Sequence, residues 1–182
     1  MLYNFFFKIN GYLIKLFLLV DIKSTNMLSS IFSQKNKSKK SLNEIVTDYL
    51  NQRKFNYETL HDGNSFIVPL SGDNGNWKVG IFIDVEREVL QLRSFCPIKI
   101  KDNQKLKVSE LISRINYNCY IGCFIMDFEE CELTYKTIHL GFENELSISA
   151  FNILFNINAQ TLDEHLPVIS AVNSGFSEPF LL

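Results

Sequence analysis

From Tyr57 to Leu140 the chain runs in short segments that alternate apolar and polar side chains, and many of the turns between them are only a few residues long. Trp77, Val79, Ile81 and Ile83 alternate with Lys78, Gly80, Phe82 and Asp84, the two-residue period of a strand that buries one face. A charged turn at Glu86 and Arg87 leads into a return strand, Glu88 to Cys96, and Pro97 ends it, because a central strand rarely accommodates proline. Upstream, His61-Asp62-Gly63-Asn64 separates Tyr57–Leu60 from Ser65–Leu70, and residues 71–76 make a second turn rich in Gly, Asn and Asp. Connections of hairpin length require antiparallel pairing, since a parallel crossover takes a dozen residues or more.

Helical patterns frame these strands. Ser41 with Glu44 three residues on forms a capping box, and Leu42, Ile45, Val46, Tyr49 and Leu50 follow at helical spacing, predicting a helix over 42–54. Val108, Leu111, Ile112, Ile115 and Cys119 define a second helix, with Glu110 and Arg114 placed to pair on its outer face. Strands over 121–128 and 132–140 follow, joined by an acidic turn at Glu129 and Glu130. Ser147 can cap a third helix carrying Ile148, Phe151, Leu154 and Phe155. Thr161 and Glu164 form another capping box ahead of Leu162, Leu166, Ile169 and Val172, and Pro167 is expected to kink or divide this region. Gly175 is placed to stop it, and the residues after it are expected to fray or dock late. The order is helix, four strands, helix, two strands, then one or two helices. It predicts an α+β fold of two layers, an antiparallel β-sheet with helices packed on one face. With 182 residues the chain suits one well-packed domain.

Charge is distributed unevenly along this frame. Residues 1–40 hold seven Lys against one Asp, net +6; residues 41–114 balance ten against ten; residues 115–182 hold one Lys against nine acids, net −8. An acidic C-terminal third is unsuited to a nucleic-acid platform, which needs Lys and Arg against phosphate. The apolar N-terminus, residues 1–20, lacks basic residues ahead of its apolar run and a small-residue cleavage site after it. Lys8, Lys15, Asn4 and Asn10 interrupt it as a membrane span. Asn4, Lys8, Gly11 and Lys15 share one helical face, which predicts an interfacial helix, with Lys35, Lys37, Lys39 and Lys40 beyond it for an anionic surface. Translation from Met27, which would leave an ordinary short polar leader, is the preferred reading, with the interfacial helix next. The expected organisation is a 1–40 extension, a single domain over 41–179, and a 180–182 tail.

The cysteines are the first candidates for chemistry. Cys119, Cys123 and Cys131 fall within thirteen residues, and with His139 they would make a metal site with gaps of three, seven and seven residues. Structural zinc sites use tight pairs such as C-x2-C, absent here. Free cysteine is among the most buried residue types, so the stretch reads as a hairpin with reduced thiols. Asp127, Glu129, Glu130 and Glu132 could attract calcium, but acids around a turn more often form a solvated tip. His61, His139 and His165 share no local motif with a nucleophile. The glycines of 71–76 lack the Lys-Ser/Thr and following helix of a phosphate loop. No catalytic, metal or cofactor-binding residue is assigned.

Residues 111–137 carry a resemblance. A helix ending in Arg-x-Asn (Arg114, Asn116) leads to a strand with G-x-F-x-x-D (Gly122, Phe124, Asp127). The next strand carries an acidic residue, then an aromatic and a basic one (Glu132, Tyr135, Lys136). This pattern, with the closing segment 162–179, resembles the YbjN-domain family. Cys131 departs from it, standing where members often carry a turn glycine. The resemblance implies a fold like that of type III secretion chaperones, often paired as dimers. It also implies a role described as sensory-transduction regulation. Asp127 and Lys136 are expected to pair across the hairpin, and Gly122 to permit close backbone approach.

The resulting expectation is a non-catalytic protein-interaction domain, chaperone-like or regulatory, acting as a cytoplasmic homodimer on an unknown protein partner, without cofactor or nucleic acid. Trp77, Phe82 and Phe124 are candidate partner contacts, against the alternative that they are core. Two other readings stand beside it. One is an enzyme in which at least two of His61, His139, His165, Asp127 and Glu132 converge in a pocket. The other is a regulator held at a membrane surface by residues 1–20.

Overall fold

The turn and helix signals resolve into alternating layers in a computed structural model, which describes residues 40–141 and 146–179. The interfacial helix at 1–20, the Met27 start, the lysines before Lys40 and the tail 180–182 lie outside the described residues. Helix α1 (Leu42–Gln52) starts at Ser41 with the full capping box. The Ser41 hydroxyl accepts from the Glu44 N–H at 3.2 Å, and the Glu44 carboxylate accepts from the Ser41 N–H at 2.7 Å. Strands β1 (Glu58–Thr59), β2 (Ser65–Ser71), β3 (Asn76–Asp84) and β4 (Val89–Phe95) follow as an antiparallel meander. A 3-10 turn (Asp102–Gln104) leads into α2 (Lys105–Asn118), which begins one turn earlier than its apolar spacing predicts. Strands β5 (Cys123–Asp127) and β6 (Glu132–Leu140) and helix α3 (Ile148–Ser174) complete the order.

The six strands form one sheet in the order β1-β2-β3-β4-β6-β5, each pair antiparallel. The long excursion through α2 carries the chain beyond the growing edge, so that β5 becomes the new edge and β6 returns between β5 and β4. Helix α3 lies across β4 and β6, α1 packs on α3, and α2 packs on α3 and β5. Buried side chains include Val79 and Ile81 of β3, Leu90 and Leu92 of β4, and Leu133 and Tyr135 of β6. They alternate with more exposed neighbours along β4, as a one-faced sheet requires.

Helix α3 corrects one expectation. It runs unbroken through Thr161 and Pro167, so Thr161 caps nothing. Proline lacks the N–H that would bond the carbonyl four residues back, here that of Asp163. That carbonyl accepts instead from the Asn74 side-chain amide at 3.1 Å. The bond lost inside the helix is replaced from the β2–β3 turn. Gly175 does end the helix, at φ 77 in the left-handed region. Cys131 also has a positive φ, 56, which explains why a glycine suits that turn position.

Candidate functional site

The motif residues of the α2–β5–β6 junction turn out to be mainly structural. Asn116, near the end of α2, donates from its amide to the Phe124 carbonyl at 3.0 Å and accepts from the Phe124 N–H at 2.7 Å. It thus stands where a neighbouring strand would, on the outer edge of β5. Gly122 takes φ 84, and a Cβ there would lie 2.6 Å from the Lys136 carbonyl oxygen. Tyr135 is buried and donates to the Ile121 carbonyl; burial, the largest cause, pushes its phenol up to about 12. Arg114 pairs with Glu110 at 2.6 Å, as spacing predicts.

The expected Asp127–Lys136 pair does not form. The register sets Asp127 opposite Glu132 and Lys136 opposite Cys123. The Asp127 carboxylate accepts instead from the Glu129 and Glu130 N–H groups, both at 2.9 Å, closing its own turn. Glu132 lies 3.7 Å from Lys99.

No catalytic or metal constellation emerges among the described residues. No group of three or more His, Cys, Asp or Glu there is placed to hold a metal. His61 lies in the β1–β2 turn, His139 near the end of β6, and His165 on α3 against the Phe124 ring. Asp127 and Glu132 are neighbours at the β5–β6 tip, and no histidine joins them. All four cysteines are free and partly buried. Burial pushes the Cys96 thiol up to about 11, the opposite of an activated nucleophile. The glycine-rich β2–β3 turn does bind an anion, but an internal one. The Asp73 and Asn74 N–H groups donate to the Asp163 carboxylate at 2.9 and 3.0 Å.

The candidate aromatic contacts separate by face. Trp77 and Phe124 are buried, Trp77 with its indole N–H donated to Ser94 Oγ at 3.3 Å, so both rings belong to the core and neither offers a free contact. Phe82 points the other way. It lies on the face of the sheet that carries no described helix, the face that also presents Ile138 and Leu140 of β6, which are 46% and 54% exposed. Register places Phe82 opposite Gln91 and Gln91 opposite Ile138. One step along, Gly80, Arg93 and Lys136 are aligned; the next row holds Lys78, Phe95, Thr134 and Ile125. Sequence reasoning misses Arg93. Its alternation with Leu92 marks the face, but its place beside Lys136 depends on the β4–β6 pairing, which no local pattern reveals.

This two-layer architecture is the α+β, type III secretion chaperone-like class, and comparison with known proteins narrows it. The family YbjN, described as "Putative bacterial sensory transduction regulator", matches residues 43–169, and the chain belongs to that family. Among solved structures, the fold is similar to the one titled as the ExsC–ExsE complex, with a TM-score of 0.53 and 12% identity over 71% of this chain and 97% of that one. It is also similar to YbjN from E. coli, titled a putative transcription regulator, with a TM-score of 0.52 and 11% identity over 72% and 90%. No curated protein matches the chain in sequence. Membership of a family described as a regulator makes this a regulatory rather than an enzymatic protein. Among the described residues, no helix is long and apolar enough to cross a membrane.

Proposed function

We propose that residues 41–179 form a cytoplasmic regulator that binds a partner protein on the face of its sheet that carries no described helix and pairs with a second copy through a different surface. The observation that carries this reading is the composition of that face. Large apolar side chains, Ile125, Ile138 and Leu140, stand exposed there on a rigid sheet, and exposed apolar surface bounded by polar residues is characteristic of protein contact sites. The likeness to a structure titled as a two-protein complex supports protein binding. Phe82 contributes the aromatic contact, half-buried beside Gly80.

Capture from native lysate by the full chain tests the reading. Ile138→Asp places a charge in the middle of the face without touching the core, so it is expected to abolish specific capture while the thermal melt stays that of the parent. Undiminished capture by the variant would remove the face from consideration. Size exclusion with light scattering tests the pairing, and a monomer mass across micromolar concentrations would dismiss it.

A further inference from the structure

The centre of the sheet face that carries no described helix has a charge pattern that bears on the kind of partner it fits. Arg93 and Lys136 are direct register partners on β4 and β6, and like charges directly opposite each other on neighbouring strands are destabilising. Neither has a carboxylate partner among the described residues, a condition shared with Arg53, Lys54, Lys78 and Lys101; what sets Arg93 and Lys136 apart is that they stand directly opposite each other in the sheet. Arg93 is also held in position. Its guanidinium carbon lies 5.5 Å from the centre of the Phe82 ring, and its Nε donates to Gln91 Oε1 at 2.7 Å. Gly80 makes room for this: a Cβ there would lie 2.6 Å from the Phe82 ring and 3.0 Å from the Phe95 ring. Two aromatic rings therefore close over a missing side chain, and one of them carries the arginine.

The surroundings complete the pattern. The row on one side of the Arg93–Lys136 pair holds Phe82 and Ile138, and the row on the other holds Phe95 and Ile125. Successive rows lie about 6.7 Å apart along a strand. Carboxylates on this side stand at the rim: Asp84 is engaged with Arg87, Glu132 with Lys99 and Asp127 in its own turn, while Glu58, on the edge strand β1 at the far end of the Arg93–Lys136 row, is exposed. Meanwhile residues 41–182 sum to −8, so a small cationic centre sits in an acidic domain.

We propose that Arg93, Lys136 and the apolar rows beside them form a docking site for an acidic amphipathic segment of a partner protein, with carboxylates on the two cations and apolar side chains on Phe82, Phe95, Ile125 and Ile138. This rests on the protein-binding reading above. A second copy of the chain fits the site poorly, because a two-fold axis there would oppose the cations to their own mates. A nucleic acid would face the net negative charge of the whole domain.

The test combines lysate capture by the full chain with binding of two synthetic probes, fluorescein-labelled amphipathic peptides that are alike except for Glu in one and Lys in the other. The expected result is anisotropy binding of the Glu peptide, at least tenfold weaker with Arg93→Glu/Lys136→Glu, weaker in 0.3 M salt, and absent for the Lys peptide. The same double variant loses lysate capture. If Ile138→Asp loses capture but the charge-reversed variant keeps it, or if the Lys peptide binds as tightly as the Glu peptide, the acidic partner is overturned and protein binding stands. Capture retained by both variants overturns both. Should charge reversal prevent folding, Arg93→Gln/Lys136→Gln serves as the comparison, with the same outcomes at smaller amplitude.

Discussion

Three asparagine amides join loops, strands and helices that would otherwise leave backbone groups unpaired. Asn116 bonds both backbone groups of Phe124. Asn173 near the end of α3 donates to the Lys99 carbonyl at 3.1 Å and accepts from the Lys101 N–H at 2.9 Å. Asn158 is fully buried between α3 and the sheet, accepting from Ser94 Oγ at 2.7 Å and donating towards the Tyr135 carbonyl at 3.2 Å. A buried polar group is tolerable only when paired, and here each side chain satisfies at least two partners at once. Asn116→Ala would leave the Phe124 N–H and carbonyl without partners, so it is expected to destabilise the domain by about 1–3 kcal/mol. Urea unfolding should show that loss, with faster amide exchange at Phe124 as the local signature. Unchanged exchange there would mean that water or a shifted α2 replaces the amide. The resemblance pointed to Asn116 by position; its role depends on where α2 ends relative to β5, a tertiary fact.

At the scale of elements, the edges of the sheet and the proline in α3 follow one logic: each unpaired backbone group is given a partner or removed. On β2, beyond the short β1, the outward position is Pro69, two residues after Ile67 in the pairing with Glu58. Proline there presents no donor to a passing strand. Asn116 closes the other edge. In α3, Pro167 frees the Asp163 carbonyl for Asn74, and the same residue's carboxylate holds the turn backbone. Asn74→Ala is therefore expected to cost roughly 0.5–1.5 kcal/mol in the parent. In a Pro167→Ala background the alanine introduced there has an N–H that can bond that carbonyl within the helix. The cost should then shrink, giving a measurable coupling in a double-mutant cycle. Strictly additive effects would show that the proline and the turn act independently. The sequence signals divide accordingly. Capping at Ser41 and Ser147, the strand alternation, the hairpins and the Gly175 stop were all legible, because each is a local backbone matter. The continuity of α3 was not, because the partner that compensates Pro167 lies about ninety residues upstream. The Asp127–Lys136 pairing failed for a related reason, since the carboxylate found closer donors within its own turn.

For the whole molecule, element order led to the two-layer fold, but strand order did not follow from it. The insertion of β6 between β4 and β5 is what brings Lys136 to Arg93, on the face of the sheet that carries no described helix. The same insertion determines how the domain responds to alkali. β6 carries Tyr135 into the core, and the chain leaving β4 packs Cys96 against that core, where its N–H donates to the Leu133 carbonyl at 2.9 Å. Burial raises both groups, the Cys96 thiol to about 11 and the Tyr135 phenol to about 12, against roughly 8.5 and 10 in an unfolded chain. Between those limits the folded state holds protons that the unfolded state has released, so stability falls as pH rises. The contribution is intact below about pH 8.5, where both states keep the protons, and it is lost progressively as pH climbs through 11 to 12. Urea midpoints measured at pH 7.5, 9 and 10.5 are thus expected to decline, and in Cys96→Ala the decline should begin about one pH unit later, where the buried phenols remain to titrate, Tyr135 and also Tyr49, which burial likewise raises. A midpoint that holds steady to pH 10.5, or a decline that Cys96→Ala leaves untouched, would show that the thiol ionises as freely in the fold as in water. The Cys96 environment would then be wetter than its packing implies.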